Sequence, residues 1–262
     1  MAEYETLLYE EDAGVAVVTL NRPDVHNAFN AQMRAELRDM WDSVRENDSV
    51  RCIVLTGAGE KAFCTGIDRS EIPDDVEFDP LKFDDPGGDL GPKSRSLWKP
   101  VIAAVNGIAC GGAFYMLGEC DFMIAADNAT FFDPHVTYGM TAVYEPILMS
   151  PLMPFGELMR MALLGVHERV SAQRAYEIGL VSEVVPGAEL LKAARSVAEI
   201  IASQPARAVQ STVRALWTAR DMTLRHALEM GGEFLALGTR AEDLREGQET
   251  FASGQRIEWR LR

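Results

Sequence analysis

Two adjacent glycines in ACGGAFYM (residues 109–116) lie where an apolar strand pattern gives way to a helical one. The first turn of a helix has backbone N–H groups without intrahelical acceptors, and glycine lets a ligand approach that backbone closely. A negative oxygen docked there would be stabilised, as in an oxyanion hole. The alternative is tight packing of a helix against a strand, which is favoured when the glycine pair is considered alone.

A second strand pattern ends at a glycine in CTGID (64–68), after the segment LTGAGEKAF. Two strand ends of one parallel sheet can each direct a backbone N–H into the same crevice. Two donors form a site for an oxyanion where a single donor does not. The two segments together therefore shift the balance from packing toward an oxyanion site.

A histidine and a tyrosine could supply side-chain chemistry near these segments. His135 titrates near neutral pH and could act as a general base, with Asp133, two residues earlier, orienting its ring. The alternative is a structural histidine whose hydrogen bonds are satisfied. Tyr115 lies three residues after Gly112 on the same helix face, although apolar periodicity alone favours a core aromatic there.

Glu145 is a third candidate, and it follows the segment YGMTAVY (138–144). The adjacent Pro146 fits the first position of a helix, so we expect Glu145 to be an N-cap-like residue. Its role would then be capping or compensation of the helix dipole. An acid at a buried helix start can also serve as a base if its pKa is raised, so both roles stay open.

Strands that alternate with helices must position these residues in the first two thirds of the chain. A helix is expected from Asn30 as N-cap, with one apolar face made of Met33, Leu37, Met40, Trp41 and Val44. Further helices are expected at 111–118, in pieces of 146–164, and at 172–178. Strands are expected at 3–9 and 14–20, paired as a hairpin, and at 51–57, 62–66, 99–105, 121–126, 129–133 and 179–185.

The last third of the chain has a different pattern. Successive helices are expected at 187–203, 205–219, 222–237 and 240–252. We therefore divide the chain into an α/β core, residues 1–200, and a C-terminal helical region, residues 201–262. Residues 72–92, which contain several Asp, Pro and Gly, predict a surface segment with a short helix before Trp98.

The composition excludes several classes of function. The chain has 262 residues, and 40 acidic against 25 basic residues give a net charge of −15, which argues against nucleic acid or anionic membranes as partners. The four cysteines lack metal-binding spacing, so we expect buried free thiols in a reducing compartment and no metal site. The N-terminus lacks the apolar core of a signal peptide, and no apolar run suits a membrane span, which together predict a cytoplasmic protein.

Four collinear segments carry a resemblance to a known superfamily. They are NRPDVHNAFN (21–30), VLTGAGEKAFCTGIDRSEI (54–72), KPVIAAVNGIACGGAFYMLGECDFMIAADNATF (99–131) and AYEIGLVSEVVP (175–186). In this combination the sequence resembles the crotonase, or enoyl-CoA hydratase/isomerase, superfamily. The resemblance implies an α/β spiral of repeated ββα units with C-terminal helices used for trimerisation. It also implies an acyl-CoA thioester as substrate, no separate cofactor, and a homotrimer or dimer of trimers.

The resemblance also assigns residues by position. The oxyanion donors would be the backbone N–H groups of Ile67 and Gly112. The coenzyme A contacts would come from segments that include Val25, His26, Ala28, Ala62, Gly66 and Asp68. Many members also have a basic residue after a C-terminal phenylalanine, and in this chain only Arg256 follows Phe251 closely.

The departures from the superfamily pattern concern the reaction. Tyr115 and His135 occupy the positions of the two glutamates that activate water and carry the proton in true hydratases. Glu145 falls about two residues later than the catalytic acid of isomerase relatives. Related enzymes that split carbon–carbon bonds have a histidine in a similar DxPH context, as in Asp133-Pro134-His135.

Three hypotheses follow from this pattern. The first is a hydratase or isomerase in which Ile67 and Gly112 hold the thioester enolate, while His135 with Glu145 or Tyr115 moves protons. The second keeps the fold but hydrolyses a thioester or a β-diketone, or decarboxylates its substrate, with His135 activating water. The third is a catalytically inactive acyl-CoA binder.

Overall fold

The computed structural model describes residues 4–71, 81, 85–254 and 259–261. The chain divides into two compact units, Met1–Ser203 and Gln204–Arg262. In the described part of the first unit the strands are β1 (Leu7–Asp12), β2 (Val15–Leu20), β3 (Cys52–Gly57), β4 (Ala62–Cys64), β5 (Val101–Val105), β6 (Ile108–Cys110), β7 (Phe122–Ala126), β8 (Thr130–Phe132), β9 (Val170–Ser171) and β10 (Glu183–Val185).

The helices follow the same order along the chain. Those of the first unit are α1 (Ala31–Glu46), α2 (Ala113–Leu117), α3 (Tyr144–Met149), α4 (Phe155–Leu164), α5 (Ala172–Glu177) and α6 (Leu190–Ala202). Those of the second unit are α7 (Ala206–Arg220), α8 (Leu224–Glu229), α9 (Gly231–Gly238) and α10 (Ala241–Ala252). None of the described helices is long and apolar enough to cross a membrane.

The strands form two sheets. The larger sheet has the order β1-β2-β3-β5-β7-β10, with an antiparallel β1–β2 hairpin and parallel pairing elsewhere. The smaller sheet has the order β4-β6-β8-β9, in which only β8 and β9 are antiparallel. The predicted α/β class and the predicted hairpin are confirmed.

Apolar faces cover both sides of the larger sheet. The predicted face of α1 is buried throughout, and the Asn30 side chain accepts a hydrogen bond from the Met33 N–H at 2.9 Å, which confirms the predicted N-cap. On the opposite face, Ala194 and Ala198 of α6 pack with Val54 of β3 and Ile102 of β5. Burial on both faces explains why the parallel strands read as continuous apolar runs.

Two expectations about helices were wrong. Helix α3 begins at Tyr144 with Val143 as its N-cap, so Glu145 is the second residue of the helix and not its cap. Pro146 is tolerated in this first turn because backbone N–H groups there have no intrahelical acceptor. The N–H that proline lacks therefore costs the helix no hydrogen bond. The single helix expected at 222–237 is two helices, α8 and α9, which meet at Met230 before the poor helix formers Gly231 and Gly232.

The predicted surface segment 72–92 falls partly outside the described residues, as does Arg256. Residues 86–89 and 92–96 form turns, so the short helix expected before Trp98 is not found between residues 85 and 98. Leu90 in this stretch is fully buried, and its carbonyl accepts a hydrogen bond from Trp41 Nε1 at 2.9 Å. This contact ties the stretch to helix α1.

Candidate active site

The ends of β4 and β6 lie side by side in the smaller sheet. The two strands are parallel, with Cys64 opposite Ala109, so the chain leaves both at the same edge. The backbone beyond β4 is fixed by Phe29, whose N–H donates to the Gly66 carbonyl and whose carbonyl accepts from the Asp68 N–H, each at 2.8 Å. Among the described residues, the N–H groups of Ile67 and Gly112 have no hydrogen-bond acceptor.

Glycine is required at both strand ends. Gly66 has φ +87°, and a Cβ there would lie 2.9 Å from the Gly112 nitrogen. A Cβ on Gly112 would lie 2.6 Å from Cε1 of Phe29. The close packing that the sequence analysis gave as an alternative is therefore present, and it brings the backbone of Gly66 against that of Gly112.

Asp133, His135 and Glu145 form a line of contacts. His135 Nδ1 lies 2.6 Å from Asp133 Oδ1, and His135 Nε2 lies 3.3 Å from Glu145 Oε1. The His135 backbone N–H also donates to Asp133 Oδ1 at 3.0 Å. Carbon Cε1 of His135 is 3.7 Å from where a Cβ on Gly111 would be, so this line ends beside the glycine pair.

The pKa values of His135 and Glu145 are both raised, for different reasons. The hydrogen bond to Asp133 raises the pKa of His135 because the carboxylate favours the imidazolium form. Burial raises the pKa of Glu145, which is 6% exposed, because the charged carboxylate is poorly solvated there. Such a pair suits proton transfer near neutral pH.

Tyr115 is engaged elsewhere. Its hydroxyl donates to Asp85 Oδ1 at 2.7 Å, and its ring stacks on Tyr144 with 6.5 Å between centroids. A Cβ on Gly87 would overlap the Tyr115 ring, so this tyrosine is closely packed. Burial also raises its pKa, which makes the phenol a weak acid. This geometry matches the core aromatic residue that the sequence analysis gave as the alternative role for Tyr115.

A cavity of about 460 Å³ connects the strand ends with His135. It is lined by His26, Thr65, Gly66, Ile67, Arg69, Ile108, Cys110, Gly111, Gly112, Phe132, Pro134, His135, Tyr138, Met140, Val166 and Arg169. Sequence reasoning gave no role to Arg69, Tyr138, Val166 or Arg169. The available signal in the sequence was the position of Arg69, which follows Ile67 by two residues.

Five of the residues predicted to contact coenzyme A separate into three groups. His26 and Gly66 line the cavity, and His26 has a left-handed backbone with φ 56°. Val25 ends the preceding 3₁₀ turn and is exposed. Ala28 and Ala62 are buried, so only their backbones could face a ligand.

Asp68 has a structural partner. It forms an ion pair with Arg22 at 2.8 Å and accepts a hydrogen bond from the Ser70 hydroxyl at 2.7 Å. The bond from Ser70, together with Arg22, holds the pKa of Asp68 below its usual value. Asp68 thus ties the segment after Ile67 to the turn that begins at Arg22.

A metal centre and a reactive thiol would each need particular groups in the described part of the site. The described residues contain no group of three or more His, Cys, Asp or Glu that could hold a metal ion. Burial raises the pKa of Cys64 and of Cys110 to about 12, so neither thiol ionises readily. Both cysteines pack in the interior, as the sequence analysis expects.

Comparisons with known proteins agree with this fold. Residues 10–262 match the family model described as enoyl-CoA hydratase/isomerase. The (E)-benzylidenesuccinyl-CoA hydratase of Thauera aromatica is 38% identical over 238 residues, which cover 90% of this chain and 92% of that protein. The 1,2-epoxyphenylacetyl-CoA isomerase of Escherichia coli is 35% identical over 94% of this chain and 95% of that protein.

Solved structures extend the agreement to the architecture. The crystal structure of an enoyl-CoA hydratase/isomerase from Mycobacterium paratuberculosis has a TM-score of 0.89 and 39% identity, and covers 99% of this chain and 100% of that chain. An enoyl-CoA hydratase from Bacillus anthracis gives a TM-score of 0.85 at 28% identity, over 96% of this chain and 97% of that chain. The chain therefore belongs to the enoyl-CoA hydratase/isomerase family, the crotonase superfamily that its sequence resembles.

Proposed function

We propose that this chain is an acyl-CoA enzyme of hydratase or isomerase type, in which His135 and Glu145 move protons beside a thioester held by backbone N–H groups. The observation that carries the proposal is the Asp133–His135–Glu145 line of contacts next to the glycine pair. The hydratase and the isomerase among the relatives are consistent with either reaction.

Both reactions pass through an enolate. The thioester carbonyl oxygen would accept hydrogen bonds from Ile67 and Gly112, whose N–H groups have no acceptor among the described residues. As the bond order at Cα changes, electron density moves onto that oxygen. Fixed donors stabilise the developing charge without reorganisation, and removing one such donor typically costs about 10²–10³ in kcat.

His135 and Glu145 would divide the proton transfers of hydration. His135 accepts a proton from water as the water oxygen bonds to Cβ, and the double-bond electrons move toward the carbonyl. The Glu145 carboxylic acid then gives its proton to Cα. A proton passing from His135 Nε2 to Glu145 Oε1, which are 3.3 Å apart, restores both groups. In isomerisation the same pair would remove one allylic proton and return it two carbons away.

The test is turnover of crotonyl-CoA and of 3-enoyl-CoA esters of several chain lengths, with Cα exchange in D₂O followed by mass spectrometry. We expect His135→Ala and Glu145→Gln each to lower kcat/KM by about 10²–10⁴, the usual contribution of general acid–base catalysis. His226→Ala, which changes an exposed histidine of α8, is the control. The proposal is wrong if no ester is hydrated, isomerised or exchanged.

Hydrolysis is the second candidate, and the 2.6 Å contact between Asp133 and His135 favours it. An aspartate that orients a histidine can make it a base for water attack on the thioester carbonyl itself. Release of free CoA, followed with a thiol reagent, separates the two candidates. If free CoA is released in step with turnover from saturated as well as unsaturated esters, the reaction is hydrolysis and not hydration.

A further inference from the structure

Two arginines face the same cavity as His135. Arg69 begins a short 3₁₀ turn just after the β4 strand end, and Arg169 immediately precedes β9. Both residues are exposed, so their charges can meet a ligand without a large desolvation cost. The chain as a whole carries a net charge of −15, which makes this pair of cations a local exception.

Each guanidinium lies over an aromatic ring. Arg69 is 5.4 Å from the centroid of the Tyr138 ring, and Arg169 is 4.5 Å from that of Phe132. Within the described part of the chain, neither arginine forms a salt bridge with a carboxylate. A guanidinium that stacks by its face keeps the N–H donors at its edge available for an anion.

Both arginines line the cavity that is also lined by Ile67, Gly112 and His135. Asp133 raises the pKa of His135, and the charge of Arg69 partly opposes this effect. Burial raises the pKa of Cys110, the last residue of β6 before the glycine pair, and the charge of Arg169 partly opposes this effect. Positive charge therefore lies in the cavity in which the acyl group would be held.

We propose that Arg69 and Arg169 bind a second carboxylate on the acyl group, so that the substrates are CoA esters of dicarboxylic acids. The inference rests on the proposed acyl-CoA function and specifies its substrate class. A neutral acyl chain has no group for the arginines to bind, whereas a carboxylate matches the planar donor pattern of a guanidinium. The phosphates of coenzyme A carry the same kind of charge, so the test must separate the two sources.

Binding of two saturated esters tests this without requiring turnover. Glutaryl-CoA and pentanoyl-CoA have acyl chains of the same length, and only the first has a terminal carboxylate. We expect the wild-type protein to bind glutaryl-CoA at least about tenfold more tightly in calorimetric titrations, because hydrogen bonds between charged groups are the strong ones. Equal affinities of wild-type protein for the two esters would overturn the inference.

Three variants locate the source of the preference. Arg69→Gln and Arg169→Gln should each lower the affinity for glutaryl-CoA more than that for pentanoyl-CoA. The ratio of the two affinities should therefore fall toward one. Arg38→Gln, which changes an exposed arginine of α1 that is paired with Asp39 and Asp89, should leave the ratio unchanged. Thermal unfolding of each variant establishes that the fold is retained.

The phosphate alternative gives a different pattern. If the arginines bind the CoA phosphates, both esters lose the same affinity in Arg69→Gln and Arg169→Gln, and this loss shrinks with 3′-dephospho esters; that outcome overturns the inference. A retained glutaryl preference in a protein that turns over no ester would contradict the proposed function but support the carboxylate site. Turnover of neutral esters, together with equal affinity for glutaryl-CoA and pentanoyl-CoA, would support the proposed function but contradict the carboxylate site.

Discussion

The Asp133 carboxylate is fully buried, and its Oδ2 atom has no hydrogen-bond partner within the described part of the chain. A buried carboxylate is costly unless a positive group accompanies it. His135, in contact with Oδ1 at 2.6 Å, is the group placed to do so. The pair therefore fixes the ring orientation and makes the imidazole a stronger base than a free histidine.

Asp133→Asn should separate orientation from charge. The amide keeps the size of the side chain but not its charge, so the pKa of His135 falls toward or below its usual value near 6.5. His135 can act as a base only when its imidazole is neutral. In the wild type, kcat/KM should therefore rise as the pH rises through the raised pKa of His135. The variant should move that rise to lower pH and lower the plateau by about tenfold or more.

The measurement is a pH profile of kcat/KM for wild type and variant. Asp127→Asn, at an exposed aspartate after β7, is the matched control and should leave the profile in place. An unmoved profile in Asp133→Asn would show that His135 is not the titrating base.

Tyr115→Phe tests whether the tyrosine is structural. Loss of the hydroxyl removes its 2.7 Å hydrogen bond to Asp85. We expect the free energy of unfolding to fall by about 1–3 kcal/mol, the cost of leaving a charged acceptor without its donor. Activity should change by only a few-fold. Urea unfolding and steady-state kinetics provide the two readouts, with Tyr176→Phe at an exposed tyrosine of α5 as control.

The opposite result would assign Tyr115 a different role. A fall in kcat of about 100-fold or more with unchanged stability is the signature of a group that acts only in the transition state. Tyr115 would then be catalytic, as its aligned position in the superfamily suggests, and its bond to Asp85 would have to break during the reaction.

At the scale of elements, the site depends on two three-residue strands. β4 and β6 are short, and each is followed within two residues by a glycine with positive φ, Gly66 and Gly111. Parallel pairing brings the two turns together, and the Phe29 backbone holds one of them through two hydrogen bonds. The position of the N–H groups therefore depends mainly on the pairing of the strands and on backbone hydrogen bonds.

Gly66→Ala should damage both stability and binding. The new Cβ would need φ +87° and would lie 2.9 Å from the Gly112 nitrogen, which would displace one N–H donor from the other. Gly179→Ala is the control, since Gly179 has φ +83° but nothing within 4 Å of its Cβ position. Left-handed strain alone costs about 1–2 kcal/mol.

We therefore expect urea unfolding to show a larger loss of stability in Gly66→Ala than in Gly179→Ala. Only Gly66→Ala should lower kcat, by about 10²–10³, the range for loss of one oxyanion donor. Equal effects of the two substitutions on stability and on kcat would mean that the close approach at Gly66 has no functional role.

Some parts of this arrangement were predictable from the sequence and others were not. The glycines at the two strand ends indicated that β4 and β6 are parallel and end at the same edge of a sheet. The spacing of Asp133 and His135 indicated their contact. The sequence paired His135 with either Glu145 or Tyr115 and could not decide between them, because the choice depends on where helix α3 begins and how it is placed. The bond from Tyr115 to Asp85 was also missed, since it joins residues 30 positions apart through a segment without periodic pattern.

At the scale of the whole molecule, the second unit presents many apolar side chains to solvent. Leu216, Leu224, Leu228, Leu235 and Leu244 are each more than half exposed on helices α7 to α10. Exposed apolar surface of this extent is typical of an interaction surface. The resemblance to the superfamily assigns this helical region to trimer assembly.

We predict that the protein is a homotrimer or a dimer of trimers of the 28.9 kDa chain. Light scattering coupled to size exclusion should give a mass of three or six chains. Leu228→Glu, which changes an apolar side chain that is 71% exposed, should shift the mass toward the monomer, because burial of a new charge in an interface is unfavourable. A monomeric wild-type protein at micromolar concentration would contradict this assignment.

If main-chain groups hold the thioester, as in the proposed mechanism, an evolutionary consequence follows. Ile67 and Gly112 contribute atoms that every amino acid has, so substitutions at Tyr115, His135 or Glu145 can change the reaction while thioester recognition is inherited intact. Selection can then act on the chemistry alone, without first rebuilding affinity for the substrate. A library randomised at these three side chains would explore new reactions on one class of compound.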